Sequence, residues 1–357
     1  MAVNLTINIQ EYVPLAPLTT LGVGGPARFF VEARSIEDVR EALAFARSRS
    51  LPLFILGGGS NLVISDEGFD GLVLKIAISE IEQESDGDVR LFIAGAGEDW
   101  DGFVRDVVDA GCAGVECLSG IPGTVGGTPV QNVGAYGQEV SETIYAVEAV
   151  EIETGHIRTF SNTECDFSYR TSRFNSTERG AWIITRVVYA MQPGLPKLAY
   201  ADLKKHFAER DGTPTLAEVR DAVISIRKLK GMVLDPSDPD SRSAGSFFKN
   251  PIVTGTQFEE LAKRASARGL TIPSYPALDA QRKVSAAWLI EQAGFPKGYT
   301  KGRAAVSSKH SLAIVNRGDA TASDIIALKN EIQAAVKQQF GIELRPEPVF
   351  LGFARSV

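Results

Sequence analysis

Between Ser35 and Ser50, apolar residues recur at Ile36, Val39, Leu43 and Ala46, on one face of a 3.6-residue period. Ser35 stands where an N-cap belongs, and Asp38 can answer it from the third helical position. The pattern predicts a helix over 35–50. Apolar runs at Ala27–Ala33 and Leu51–Leu56 flank it as strands, giving a β-α-β unit, and Leu72–Ile76 adds a further strand. Past residue 89 the alternation resumes. Arg90–Ala94 reads as a strand, and Asp99–Ala110 as a helix burying Trp100, Phe103, Val104 and Val107, with Gly111 as its C-cap. Thr154-Gly155 between Ala146–Glu153 and His156–Phe160 is a hairpin signal, and Ala181–Met191 reads as another strand.

Residues 192–215 hold three prolines and few apolar repeats, so a loop-rich insertion is expected there, with a short helix near Leu203–Phe207. Leu216–Leu229 carries a helical stripe of Leu216, Val219, Val223 and Ile226. Asp235–Asp240, DPSDPD, breaks the pattern and marks a boundary. Helices follow at 257–268, 284–293 and 322–339, and a strand at Ser311–Asn316. Thr321 caps the last helix and Gly341 ends it. The resulting division is a first lobe at 1–76 and a second at 77–230 carrying the 192–215 insertion. A third domain spans 231–345, and a C-terminal segment 346–357.

Leu51–Leu56 empties into Gly57, Gly58, Gly59, Ser60 and Asn61. Three residues without a Cβ let the backbone approach a ligand closely, and successive N–H groups can then form a nest for a phosphate. A plain tight loop between core strands is the alternative. A dinucleotide fingerprint is excluded, because its third glycine would fall on Leu62 and the residues after the loop read as extended. A Walker loop is excluded as well, because the chain contains no Gly-Lys-Ser/Thr.

Composition narrows the picture further. Of 357 residues, 44% are hydrophobic and 23% charged, as in soluble globular proteins of two or three domains. A net charge of −7 argues against a nucleic-acid or anionic-membrane surface. The first residues, MAVNLTINIQ, lack the basic start and apolar run of a signal peptide, and no stretch is apolar enough to span a membrane. The three cysteines, Cys112, Cys117 and Cys165, include no C-x-x-C and suit a reducing compartment. The three histidines, His156, His206 and His310, have no metal-ligand spacing, so no metal site is expected. A soluble cytoplasmic protein is expected.

Six motifs then occur in order: ILGGGSN at 55–61, GIPGTVGG at 120–127, NVGAYG at 132–137, YRTSRF at 169–174, AGSFFKNP at 244–251 and RPEPVFLG at 345–352. Together they resemble the UDP-N-acetylenolpyruvoylglucosamine reductases, flavoenzymes of bacterial peptidoglycan precursor synthesis, from about Leu18 to Gly352. The resemblance implies an α+β fold: a two-lobed FAD-binding domain of the vanillyl-alcohol-oxidase-like type plus a C-terminal α+β substrate-binding domain. It implies non-covalent FAD, NADPH as hydride donor and a UDP-sugar substrate, in a protein expected to be a monomer.

By the same resemblance, FAD is contacted by Gly57, Gly58, Gly59, Ser60 and Asn61, by Gly120, Ile121, Pro122, Gly123, Gly126 and Gly127, and by Asn132, Gly134, Ala135 and Tyr136. Arg170 matches the arginine that meets charge building toward the substrate carboxylate. Ser246 matches the proton donor to C2, and Glu347 the second catalytic position. Tyr169, Tyr200, Lys230, Asn250 and His310 match substrate contacts, Tyr200 lying in a loop that marks one subtype. The long spacing from Lys230 to Ser246 leaves Arg227 and Lys228 as alternatives to Lys230. Two other functions remain open on sequence: a different FAD oxidoreductase on this fold, and a non-catalytic binder of flavin or nucleotide sugar.

Overall fold

In the computed structural model, which describes residues 6–277 and 279–353, helix α1 (Ile36–Ser48) opens on the capping box that its sequence encodes. The Asp38 N–H donates to Ser35 Oγ at 3.1 Å, and the Ser35 N–H donates back to the Asp38 carboxylate at 3.0 Å. The chain divides into two compact units. One gathers the residues up to Val13 with Ala27–Gly59 and Phe69–Lys228; the other gathers Pro14–Pro26, Ser60–Gly68 and Leu229 onward.

In the first unit a four-stranded sheet runs in the order Gln10–Pro14, Pro26–Ala33, Phe69–Ile76, Leu53–Leu56. The β-α-β crossover through α1 leaves a gap between its two strands, and Phe69–Ile76 fills it, parallel to both. An antiparallel sheet follows, in the order Ile157–Ser161, Ile144–Glu151, Trp182–Pro193, Val89–Gly95, Ile81–Asp86. The last of these was not expected as a strand. Its exposed Glu82 and Glu84 protect an edge, and polar edge strands carry little apolar signal. Helix α2 (Trp100–Asp109) lays Trp100 and Phe103 against Tyr189, with Phe103 4.7 Å from the Tyr189 ring. Each such side chain, once buried, contributes ~1.5–3 kcal/mol. Helices α3 (Ala201–His206) and α4 (Leu216–Leu229) pack Leu203 with Val219, Val223 and Cys117 in a smaller cluster.

The second unit holds helices α5 (Gly255–Ser266), α6 (Ala286–Gln292) and α7 (Ala322–Phe340) around Leu289, Ile325, Leu328, Ile332 and Val336. Two three-stranded sheets accompany them: Ile252–Val253 with Arg282–Val284 and Ser274–Pro276, and Thr300–Lys301 with Ala304–Val306 and Ile314–Asn316. Leu62–Ile64 pairs in parallel with Val349–Leu351. That pairing, and Asp66 accepting the Ala322 and Ser323 N–H groups at the start of α7, tie 60–68 to this unit. The span 1–76 is thus shared between the two units rather than forming one lobe. Residues 354–357 of the C-terminal segment lie outside the described residues. Among the described residues, no helix is long and apolar enough to cross a membrane, and no cluster of His, Cys, Asp or Glu could hold a metal ion.

Candidate functional site

In the first unit, the N-terminus of α2 holds the second glycine tract in place. The Trp100 N–H donates to Gly123 C=O and the Val125 N–H to Glu98 C=O. Trp100 Nε1 donates to Leu118 C=O at 3.1 Å. Asp101 accepts the Gly120 N–H and grips Arg220 of α4 with both oxygens, at 2.7 and 2.8 Å. Burial would push the Asp101 carboxyl up, but Arg220 and the Gly120 N–H outweigh it and hold it below its ordinary value. The tract therefore stands on a rigid footing.

Gly57–Gly59 packs directly on that tract. A Cβ on Gly58 would lie 2.6 Å from Gly123 Cα, so no side chain fits there. Among the described residues, the N–H groups of Gly58, Gly59 and Gly123 donate to no acceptor within the protein, and Gly59 is buried. Gly123 is half-buried and Gly58 exposed, and a buried donor such as that of Gly59 is rare unless a ligand answers it. Backbone N–H groups in a close-packed cradle without Cβ atoms fit the diphosphate of FAD. Ile121 and Ala135 rest on the unit's main core, and Pro122 is half-buried. Gly126 abuts Ala96, whereas a Cβ on Gly127 would meet nothing.

The NVGAYG motif forms a hairpin that the sequence reading missed. Gly134–Ala135 pairs with Gln138–Glu139, and Tyr136 and Gly137 both take positive φ, 49° and 85°. Two positive values are the signature of a type I′ turn. Asn132 is buried: its Nδ2 donates to Glu139 and to Ser168 C=O, and its Oδ1 accepts the Ser141 N–H. An amide with both ends committed braces the loop.

Arg170 lies at the tip of a tight turn closed by reciprocal hydrogen bonds between Ser168 and Thr171. Its φ of 55° is uncommon for a residue with a side chain, and such conformations concentrate at functional sites. Its Nη2 donates to Gly134 C=O at 2.7 Å and its Nη1 to Asn132 C=O at 3.4 Å, while its Cζ stacks 5.6 Å from the Tyr169 ring. These contacts bring Arg170, Tyr169, Asn132 and Gly134 together. Tyr136 and Tyr200 also meet, edge to face with ring centroids 5.3 Å apart.

In the second unit, Ser246 is followed by Phe247 and Phe248, both buried. The Phe247 N–H donates to Leu312 C=O, and Phe247 C=O accepts the Glu347 N–H. The serine is thereby fixed beside His310, whose Nε2 lies 3.4 Å from Ser246 Oγ. That pairing was not visible in the sequence, which suggested His310 only as a substrate contact. Asn61 braces the same turn. Its Nδ2 donates to Glu347 C=O and its C=O accepts the Val349 N–H, so it also supports the Glu347 turn. Asn250 uses its Oδ1 on the Ala286 N–H at the start of α6. Lys230 is half-buried and Lys228 is exposed, while Arg227 is buried in the first unit. Sequence reading also passed over Tyr275, an exposed aromatic that faces Lys283 across neighbouring strands.

The thiols offer no nucleophile. Burial pushes Cys117 and Cys165 up to about 12, and Cys112 is raised in the same way.

Residues 27–161 match the family model for an FAD binding domain. Residues 236–351 match that of the UDP-N-acetylenolpyruvoylglucosamine reductase C-terminal domain. The chain is 46% identical to the UDP-N-acetylenolpyruvoylglucosamine reductase of Thermobifida fusca, an alignment covering 98% of this chain and 99% of the relative. It is also 46% identical to that of Streptomyces coelicolor, over 97% and 91%. Among solved structures, the UDP-N-acetylenolpyruvylglucosamine reductase of Thermus caldophilus superposes with a TM-score of 0.64 at 26% identity, covering 97% of this chain and 98% of that one.

Proposed function

The chain belongs to the UDP-N-acetylenolpyruvoylglucosamine reductase family, and on that premise we propose how its residues divide the work of the reaction. The enzyme reduces UDP-N-acetylenolpyruvoylglucosamine to UDP-N-acetylmuramate with NADPH, for peptidoglycan precursor synthesis. Bound FAD supplies the relay of hydride from NADPH to C3 of the enolpyruvyl ether.

The glycine tracts at 57–59 and 120–127 hold the diphosphate of the cofactor through backbone N–H groups. The binding is non-covalent, since the cysteines are buried with raised thiols. Arg170, held by the carbonyls of Asn132 and Gly134, presents a planar fork to the substrate carboxylate. A cation already oriented stabilises the negative charge that builds toward C2 and the carboxylate as the reaction proceeds. Ser246 donates its hydroxyl proton to C2, with His310 orienting the Oγ. Glu347, stiffened by Pro346 and Pro348, polarises the enol. Lys230 takes the substrate diphosphate. Tyr169 and Asn250 contact the remainder of the UDP-sugar. The observation that carries this assignment is Ser246, an otherwise weak acid that leads into two buried phenylalanines, Phe247 and Phe248, with an imidazole at its oxygen. We assign a monomer, free of nucleic acid and membrane, working in the cytoplasm where NADPH and nucleotide sugars are made.

Purified protein is expected to be yellow, to bleach with anaerobic NADPH and to recover its colour on addition of the UDP-enolpyruvyl substrate. A colourless protein that takes up no added FAD, or one that bleaches but is not reoxidised by that substrate, would refute the assignment.

We also place the chain in the tyrosine-loop subtype, because Tyr200 is 46% exposed at the start of α3 and rests on Tyr136 of the glycine-rich hairpin. Tyr200→Ala is expected to raise the KM for the UDP-sugar about tenfold while leaving NADPH-driven bleaching near wild type. Unchanged substrate kinetics would show that Tyr200 only packs.

A further inference from the structure

Residues 194–199 belong to no helix or strand, yet they lead directly to Tyr200. One residue in this stretch is held on both sides of its backbone. The Lys197 N–H donates to Glu116 Oε1 at 3.0 Å, and Lys197 C=O accepts the Cys117 thiol at 3.4 Å. Glu116 is wholly buried. Its carboxylate also accepts the Gly114 N–H and Gln138 Nε2, each at 2.8 Å. Gln138 in turn accepts the Cys117 N–H on its Oε1.

One carboxylate thus collects donors from three separate stretches: the 114 turn, the end of the Tyr136 hairpin, and the loop before Tyr200. Burying a charge is costly unless every lone pair is answered, and an apolar residue would fill the space without that cost. What an apolar residue could not do is fix the Lys197 backbone against the hairpin. The register is tight, with a Cβ on Gly137 placed 3.3 Å from Ala199 Cβ. The Tyr136–Tyr200 contact is the far end of the same arrangement.

We propose that Glu116 is a positioning residue for the substrate: it anchors Lys197, and through it sets Tyr200 against the Tyr136 hairpin. The inference rests on the reading that Tyr200 contacts the substrate. In Glu116→Gln the volume is kept, but one end of the side chain becomes an NH₂. Whichever way the amide turns, an N–H then faces an N–H.

Three measurements test the proposal on the FAD-loaded protein. The KM for UDP-N-acetylenolpyruvoylglucosamine should rise about tenfold in Glu116→Gln, a loss of about 1.4 kcal/mol, with the rate of bleaching by NADPH unchanged. Tryptic cleavage after Lys204 and Lys205 should accelerate several-fold while flavin content stays at the wild-type level. Cys117→Ser, which keeps a donor to the Lys197 carbonyl and leaves the Glu116 side intact, should leave both readouts closer to wild type than Glu116→Gln. Cys117→Ala, which loses the carbonyl contact and some packing on Leu203, should move both in the same direction, and it serves if Glu116→Gln fails to fold. Glu142→Gln, which removes only the exposed ion pair with the Lys197 side chain, should leave both unchanged.

A raised KM in Tyr200→Ala with wild-type KM and cleavage in Glu116→Gln would overturn the anchoring and leave the Tyr200 reading intact. Faster cleavage with wild-type KM in both Glu116→Gln and Tyr200→Ala would overturn the substrate role of Tyr200, and with it the positioning role. Equal slowing of NADPH bleaching and of substrate turnover in Glu116→Gln would mark the residue as generally structural and also overturn the proposal.

Discussion

Ser246→Ala protein is expected to bleach with NADPH at close to the wild-type rate and to be reoxidised by substrate at least about a hundredfold more slowly. The two halves of the reaction differ in what they ask of the protein. Reduction by NADPH is a hydride transfer and creates no carbon acid. Reduction of the enolpyruvyl group leaves C2 needing a proton, and a positioned acid contributes ~10²–10⁴-fold to such a step. Ser246 is held for that role by Phe247 and Phe248 and by the hydrogen bonds that fix residue 247 between Leu312 and Glu347. Deleting one hydroxyl leaves this frame in place, so the variant should fold and bind FAD normally. Stopped-flow absorbance separates the two phases. Equal slowing of both, or of neither, would remove Ser246 as the donor.

Gly58→Ala should lose FAD. The new Cβ would sit 2.6 Å from Gly123 Cα and 2.8 Å from Gly123 C, both backbone atoms with no rotamer to yield. The opposing tract cannot retreat easily, because Gly123 C=O accepts the Trp100 N–H and Gly120 is tied to Asp101. The two tracts must therefore move apart, which spreads the N–H groups of Gly58, Gly59 and Gly123. A misplacement of about 1 Å can cost a hundredfold where geometry is preset. Flavin fluorescence titration should show affinity weakened at least about that much, with colourless protein after gel filtration. Wild-type affinity would mean that the cradle does not hold the diphosphate.

Much of the chemistry was legible in the chain because it depends on local rules. A capping box needs only residues 35 and 38, and the α1 and α2 stripes need only the helical period. The six ordered motifs carried the family. The glycines of 57–59 and 123 announced a close backbone approach before any partner was known, because no other residue leaves that space.

Tertiary structure decided what depends on partners far along the chain. Phe69–Ile76 enters the gap left by the α1 crossover, an order that apolar periodicity cannot specify since each of these strands is apolar by itself. Leu62–Ile64 joins Val349–Leu351 because a strand's pairing partner is set by sheet register, not by its neighbours in sequence. The same limit applies to polar side chains. The amides of Asn61 and Asn132 have partners, Glu347 and the loops around Ser141 and Ser168, that no neighbouring residue announces. Ser246 meets His310, and Glu116 meets Lys197, through hydrogen bonds between residues distant in sequence. Sequence determines which groups can donate and accept; only the packed backbone determines which of them meet, because a hydrogen bond demands about 3 Å and a direction that no local pattern encodes.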